Sequence, residues 1–177
     1  MISMLSVAVI SGLFYSRFTR PSAKIIFSDQ VLHTNHLEKR CLVFRLANTR
    51  VNKIINAKIH MTTLMSTVTP EGTSMRILND LKLTRDFNSI FFLNWVVSHE
   101  INDQSPLYNM KIEDFEKANL EFLISFSGTD QTFSQPIHAD VTYNTNDIIF
   151  DRQFKDMVIR NGNDILIELD QISQLKN

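Results

Sequence analysis

Apolar and polar residues alternate with a period of two along most of this chain. Ile55, Ala57, Ile59, Met61 and Thr63 interleave with Asn56, Lys58, His60 and Thr62, the pattern of a strand with one buried face. Leu120, Phe122, Ile124 and Phe126 alternate in the same way with Glu121, Leu123, Ser125 and Ser127. Segments 41–47, 75–83, 90–97 and 133–143 are further predicted strands. Pro70-Glu71-Gly72 supplies turn residues between two of them. Asn161-Gly162, between 156–160 and 164–169, is a two-residue hairpin signal. In the body of the chain only 111–119 has helical spacing, with Ile112 and Phe115 on one face. Short strands at this spacing predict a mainly β protein, an antiparallel β-sandwich.

The N-terminus breaks the pattern. No charge occurs before Arg17, and then Arg17, Arg20 and Lys24 follow closely. An apolar stretch closed by cations is how a transmembrane helix leaves the bilayer on its cytoplasmic side. As a helix, residues 1–18 would span roughly 27 Å, slightly less than the bilayer core. A signal peptide wants its cations first and small residues at its end. Here the cations come last, and Leu13-Phe14-Tyr15 occupies the place of the small residues. Gly12 marks a point of bending or close packing.

Composition narrows the function classes. The chain has 177 residues, of which 44% are hydrophobic and 21% charged, so the part after residue 24 makes one ordinary globular domain. A net charge of −1 argues against general nucleic-acid binding. The single cysteine, Cys41, allows no internal disulfide and suits a reducing compartment.

Candidate chemistry is sparse. Metalloprotease, phosphate-loop, nucleophile-elbow and paired-cysteine motifs are all absent from the sequence. His33 and His36 are three apart without a further Cys or His beside them, which is a poor metal set. Cys41 lies among Leu42, Val43 and Phe44 and reads as a small buried hydrophobe rather than a nucleophile. His99 and Glu100 are adjacent on a predicted strand and therefore point to opposite faces. The chain is not expected to be an enzyme.

His99-Glu100-Ile101-Asn102-Asp103-Gln104-Ser105-Pro106-Leu107-Tyr108 resembles the His-Glu-Ile-Asp-x-x-Ser-Pro-Leu-Tyr signature of inward-rectifier potassium channels. Tyr15-Ser16-Arg17-Phe18-Thr19-Arg20-Pro21 resembles the end of that family's inner pore helix in its bacterial branch. Arg45-Leu46-Ala47-Asn48-Thr49-Arg50, Pro70-Glu71-Gly72, Asp80-Leu81-Lys82-Leu83-Thr84-Arg85 and Ile90-Phe91 are similar to further family segments, in the same order.

The resemblance implies residues 1–19 as the C-terminal part of the inner transmembrane helix and 20–28 as a membrane-to-cytoplasm linker. It implies 29–177 as a cytoplasmic immunoglobulin-like domain, a homotetrameric ring that extends the ion pathway in a cell membrane. Tyr15 would be the helix-bundle gate, closing by steric block and dewetting; its position equally suits an interfacial tyrosine. Gly128, Thr129, Asp130 and Gln131 would form the apical pore loop, whose plain reading is a bulge or turn. Four copies of Asp130 would attract cations if they face the axis, and Glu71 would be an acidic pore-lining position. Ser127 stands where strongly rectifying members carry an acid, which argues against strong rectification.

Arg17, Arg20, Lys24 and Arg50 would meet anionic lipid headgroups, phosphoinositides among them. Ser22 and Ala23 replace the paired lysines of animal channels, so lipid activation does not carry over. The implied permeant species is potassium; no cofactor, metal or nucleic acid is implied. The Thr-Val-Gly-Tyr-Gly selectivity filter does not occur in this sequence. The alternative reading is an orphan immunoglobulin-like interaction module that kept the sandwich without conduction.

Overall fold

The two strongly alternating segments become neighbours in space. Ile54–Val68 (β4) and Glu121–Asp130 (β8) pair antiparallel at the centre of one sheet, with Ile59 opposite Phe126 and Met61 opposite Ile124. The structure, a computed structural model, describes residues 7, 9–11, 24–161 and 164–176. Before β4 come Ile25–Phe27 (β1), Val31–His36 (β2) and Lys39–Asn48 (β3). Between β4 and β8 lie Ser74–Asp80 (β5), Phe87–Phe91 (β6), Asn94–Glu100 (β7) and the short helix Ile112–Lys117 (α1). Gln135–Asn144 (β9), Ile148–Phe150 (β10), Val158–Asn161 (β11) and Asp164–Ile167 (β12) complete the described strands.

In the first sheet β3 is flanked by β7 on one side and by β1 and β2 on the other, with β10 beyond β2. In the second, β4 pairs with β8 on one side and with β5 and β6 on the other, and β9 lies outside β8. Leu42, Phe44 and Leu46 from the first sheet share one core with Ala57, Ile59, Met61, Phe122, Ile124 and Phe126 from the second. The architecture is therefore mainly β and antiparallel, as the alternation predicts. One pair departs from it: β10 runs parallel to β2, because the chain returns from β9 in the second sheet through a short 3-10 turn, Thr145–Asp147, before joining the first.

β3 is buried on both faces. Leu42, Phe44 and Leu46 face the common core, while Cys41 and Val43 pack under Phe154 and Leu175, and Ala47 under Met157 and Ile172. The C-terminal segment thus covers the outer face of the first sheet, which explains why 41–48 is a continuous buried run.

Three expectations need correction. Ile55 does not join Ala57 and Ile59 on the core face. A β-bulge between Ile55 and Lys58, with Asn56 at φ +52°, shifts the register so that Ile54 is buried instead. Segment 90–97 is not one strand: β6 belongs to the second sheet and β7 to the first, so the chain changes sheets at Phe92-Leu93. Segment 75–83 ends as regular strand at Asp80. The predicted helix and the hairpin around Asn161-Gly162 are found as α1 and β11–β12.

Among the described residues no helix is long and apolar enough to cross a membrane. The proposed inner-helix segment 1–19, with Tyr15 and Arg17, and Arg20 in the linker, lies outside the described residues apart from helical positions 7 and 9–11.

Candidate functional site

Two loops and the point where the chain enters the domain meet at one end of the sandwich. The β3–β4 loop is braced from within: the Asn48 side chain donates to the Asn52 carbonyl at 2.7 Å and accepts from the Arg50 N–H at 3.0 Å. The N–H and hydroxyl of Thr49 both donate to the Lys24 carbonyl, at 2.9 and 2.8 Å. Lys24 and Arg50, expected to serve together at headgroups, are thereby brought to the same loop.

The β8–β9 loop is tied to this one. The Gln131 N–H donates to the Lys53 carbonyl at 2.9 Å. Asp130, only 1% exposed, accepts from Asn52 Nδ2 and, through Oδ1, from the N–H groups of Thr132 at 2.8 Å and Phe133 at 3.3 Å. Its carboxylate therefore points into the domain and organises two loops; it is not presented to solvent as the cation-attracting group expected. A short turn-forming acid beside backbone N–H groups is drawn to them, because charge-assisted hydrogen bonds of this kind are strong.

Gly128 and Thr129 sit within β8, opposite Ile137 and Pro136 of β9, rather than in a loop; only Gln131 among the four expected loop residues lies beyond the strand. A glycine is required at 128 by close approach. A methyl there would stand 2.6 Å from Ile54 Cγ2 and 3.5 Å from the Ala57 backbone, where the β4 bulge presses against β8. Ser127 is half-buried opposite Lys58 and His138.

Glu71 is elsewhere. It lies on the exposed β4–β5 turn, where Gly72 takes φ +83° and donates to the Thr69 carbonyl at 2.8 Å. Hydrogen bonding from Thr69 holds its carboxyl below the ordinary range. Gly128 and Glu71 are separated by nearly the whole of β4, roughly 45 Å. The two ion-pathway candidates therefore mark opposite ends of the domain.

The signature segment 99–108 is architectural. His99 is buried; its Nδ1 faces the Lys82 carbonyl at 2.8 Å and its Nε2 faces Ser105 Oγ at 2.8 Å. The carbonyl can only accept, so Nδ1 carries the proton and Nε2 accepts from the Ser105 hydroxyl. Ser105 Oγ in turn accepts from the Leu107 N–H at 3.2 Å. Glu100, on the opposite face, pairs with Lys39 at 2.7 Å. Cys41 is buried, and burial raises its thiol pKa, the reverse of an activated nucleophile. His33 is held by Arg40 at 2.8 Å and by the rings of Phe115 and Phe150; among the described residues no group of three His, Cys, Asp or Glu side chains is placed to hold a metal.

Arg45 and Asn48 belong to a segment similar to the family's, but no pattern in the sequence gives them, or Asn52, a role. The Asn48–Asn52 spacing across a predicted loop is the one local hint of bracing.

Residues 25–177 match the family described as inward rectifier potassium channel C-terminal domain. Over 154 residues the chain is 38% identical to the inward rectifier potassium channel Kirbac3.1 of Paramagnetospirillum magnetotacticum, covering 87% of this chain and 52% of that one. It is 23% identical over 164 residues to the ATP-sensitive inward rectifier potassium channel 12 of Mus musculus, covering 89% of this chain and 38% of the mouse channel. The chain thus spans about half or less of the length of these relatives. Their family is one of ion channels and not of enzymes. On the match across residues 25–177, the chain belongs to the inward-rectifier potassium channel C-terminal domain family, and stands with its bacterial branch.

Proposed function

We propose that residues 29–177 are the cytoplasmic gating and regulatory domain of a homotetrameric inward-rectifier potassium channel. The observation that carries this reading is the 38% identity to Kirbac3.1 across 87% of the chain. Four copies around an axis continue the ion pathway beneath the membrane, with residues 1–19 as the end of the inner helix and 20–28 as the linker. Tyr15 closes the helix bundle, and the Gly128 end of the domain forms the second constriction. Glu71 adds a ring of carboxylates at the far end, where focused negative potential concentrates cations.

Two features of the domain support the reading, one bearing on assembly and one on the membrane. β5 is exposed along its length and carries Met75, Ile77 and Leu78 on its surface, more apolar area than an edge strand in water usually shows. Lys24 and Arg50 converge on one loop through the Thr49 hydrogen bonds. With Arg17 and Arg20 they form the set for anionic headgroups, each cation contributing about 1 kcal/mol near such a surface.

The role of Asp130 is positional. Its buried carboxylate holds the β3–β4 and β8–β9 loops together, so that a movement of the lipid-facing loop is passed to the Gly128 end.

The test is a chimaera in which this chain replaces the matching half of Kirbac3.1. Potassium flux into liposomes should be retained, and Tyr15→Ala should raise it. A chimaera that assembles in the membrane and conducts identically whether or not Tyr15, Gly128 and Arg50 are substituted would reject the gating role.

A further inference from the structure

The second sheet has one dry face and one wet face. The dry face supplies Ile59, Met61, Ile124 and Phe126 to the core. Directly opposite residues on antiparallel neighbours share a face, so the register fixes the wet face row by row. Lys58 on β4 stands opposite Ser127 on β8, and Ser127 opposite His138 on β9. In the next row His60 stands opposite Ser125, and Ser125 opposite Asp140. Lys58, His60, His138 and Asp140 are exposed, with the two serines between them.

Charge on this face is nearly balanced. β5 adds Asp80 beside His60 at 3.0 Å, and Arg76 beside Glu121 of β8 at 3.1 Å. β6 presents uncharged Phe87 opposite Lys58. The Asp80 carboxylate accepts from the Thr62 hydroxyl and from His60 Nε2, each at 3.0 Å. Those bonds, from Thr62 first and then His60, hold its carboxyl below the ordinary range, so it stays ionised in mild acid. With both histidines neutral, Lys58 and Arg76 stand against Asp80, Glu121 and Asp140, an excess of one negative charge. Protonating His60 and His138 turns it into an excess of one positive charge. Histidine is the side chain whose charge changes between about pH 5 and 8.

A pathway through the Gly128 end can touch β8 only on this wet face, because the other face is core. Ser127 immediately precedes Gly128, and its row holds Lys58 and His138. Four copies around an axis multiply the excess charge fourfold, and low-dielectric walls focus its field.

We infer that His60 and His138 set the sign of the field in the ion pathway beside Gly128. Neutral, they leave a wall that gathers cations; protonated, they make one that repels them. This rests on the proposed fourfold assembly and adds to it a control of cation entry by acid.

The detergent-solubilised full chain tests it, sparsely labelled with a pH-insensitive fluorophore on T142C, two residues from Asp140 on the same face of β9. Buried Cys41 leaves the introduced thiol as the site of labelling. Quenching by thallium(I), a cation, is compared with quenching by iodide at about pH 7.5 and about pH 5.5, on either side of the histidine range. Native mass spectrometry reads the assembly. In a fourfold assembly the thallium-to-iodide quenching ratio should fall several-fold on acidification, and H60Q with H138Q should hold it at its neutral value. Lys58→Gln should raise the ratio at both pH values. A fourfold assembly whose ratio ignores pH, or falls equally in the double variant, overturns the histidine wall while the channel-domain reading stands. A chain that is monomeric before labelling removes that reading and the inference with it.

Discussion

Arg45 holds the Ile172 carbonyl with two donors, Nε at 2.9 Å and Nη2 at 2.6 Å. The same guanidinium reaches the carbonyls of Gln171 and Lys155, each at 2.6 Å, and lies 4.2 Å from the Phe154 ring centroid. It is 3% exposed, and burial lowers its pKa to about 10, so it remains charged at neutral pH. One side chain of the central strand therefore clamps the segment that roofs the first sheet. Arg45→Met should cost about 3 kcal/mol, because several buried carbonyls lose their donors together. Urea denaturation measures the loss, and hydrogen exchange should accelerate across 155–175 before the second sheet responds. An unchanged midpoint would show that the clamp adds nothing to packing.

His33 makes stability depend on pH. Burial first, and the neighbouring Arg40 second, lower its pKa from 6.5 to about 4. Between those values the unfolded chain binds the proton that the folded chain refuses, so stability rises with pH across that window and is lost on acidification. The full effect is about 3 kcal/mol between neutral pH and pH 4. His99, lowered chiefly by burial, acts in the same direction. His33→Phe should flatten the slope without abolishing it, and denaturation midpoints across pH 4–7 check the difference.

Gly128 and Gly72 should respond differently to alanine. At Gly128 the obstacle is Ile54, 2.6 Å from the added methyl, so G128A should cost about 1–3 kcal/mol as overpacking. At Gly72 nothing lies within 4 Å, and the penalty comes from φ +83° alone, about 1 kcal/mol. I54A combined with G128A should be less damaging than the sum of the single changes, whereas I54A and G72A should add. A double-mutant cycle by thermal or urea unfolding distinguishes the two cases.

Ser105→Ala should destabilise by about 1–2 kcal/mol, since both His99 Nε2 and the Leu107 N–H lose their partner at one hydroxyl. The effect should appear in stability and leave lipid binding unaltered, because 99–108 braces the fold away from the β3–β4 loop.

The strands most legible in the sequence are those with one wet face: β8 alternates through Phe122, Ile124 and Phe126, and these are the residues buried. Periodicity is blind to what happens at Asn56, where a polar residue in a polar slot conceals a bulge that moves Ile54 inward. It is blind also to the Phe92-Leu93 crossing, because apolar residues continue through it. β2 escapes notice for the opposite reason: His33 and Thr34 are polar yet buried, held by Arg40, aromatic rings and strand pairing. At the candidate site, the family resemblance implies a loop at Gly128–Gln131, but strand pairing continues to Asp130. That aspartate is turned inward by the local N–H groups of Thr132 and Phe133 together with Asn52, seventy-eight residues distant in sequence, and the distant partner is the one no local pattern reports.

The oligomeric state of the detergent-solubilised full chain, read by native mass spectrometry over a concentration series, tests the channel-domain assignment most directly. Fourfold assemblies are the expected result, weakened by charged substitutions at Met75 and Leu78 on exposed β5. A strict monomer at high concentration, with the fold intact, would contradict a role as one quarter of a potassium channel's cytoplasmic ring.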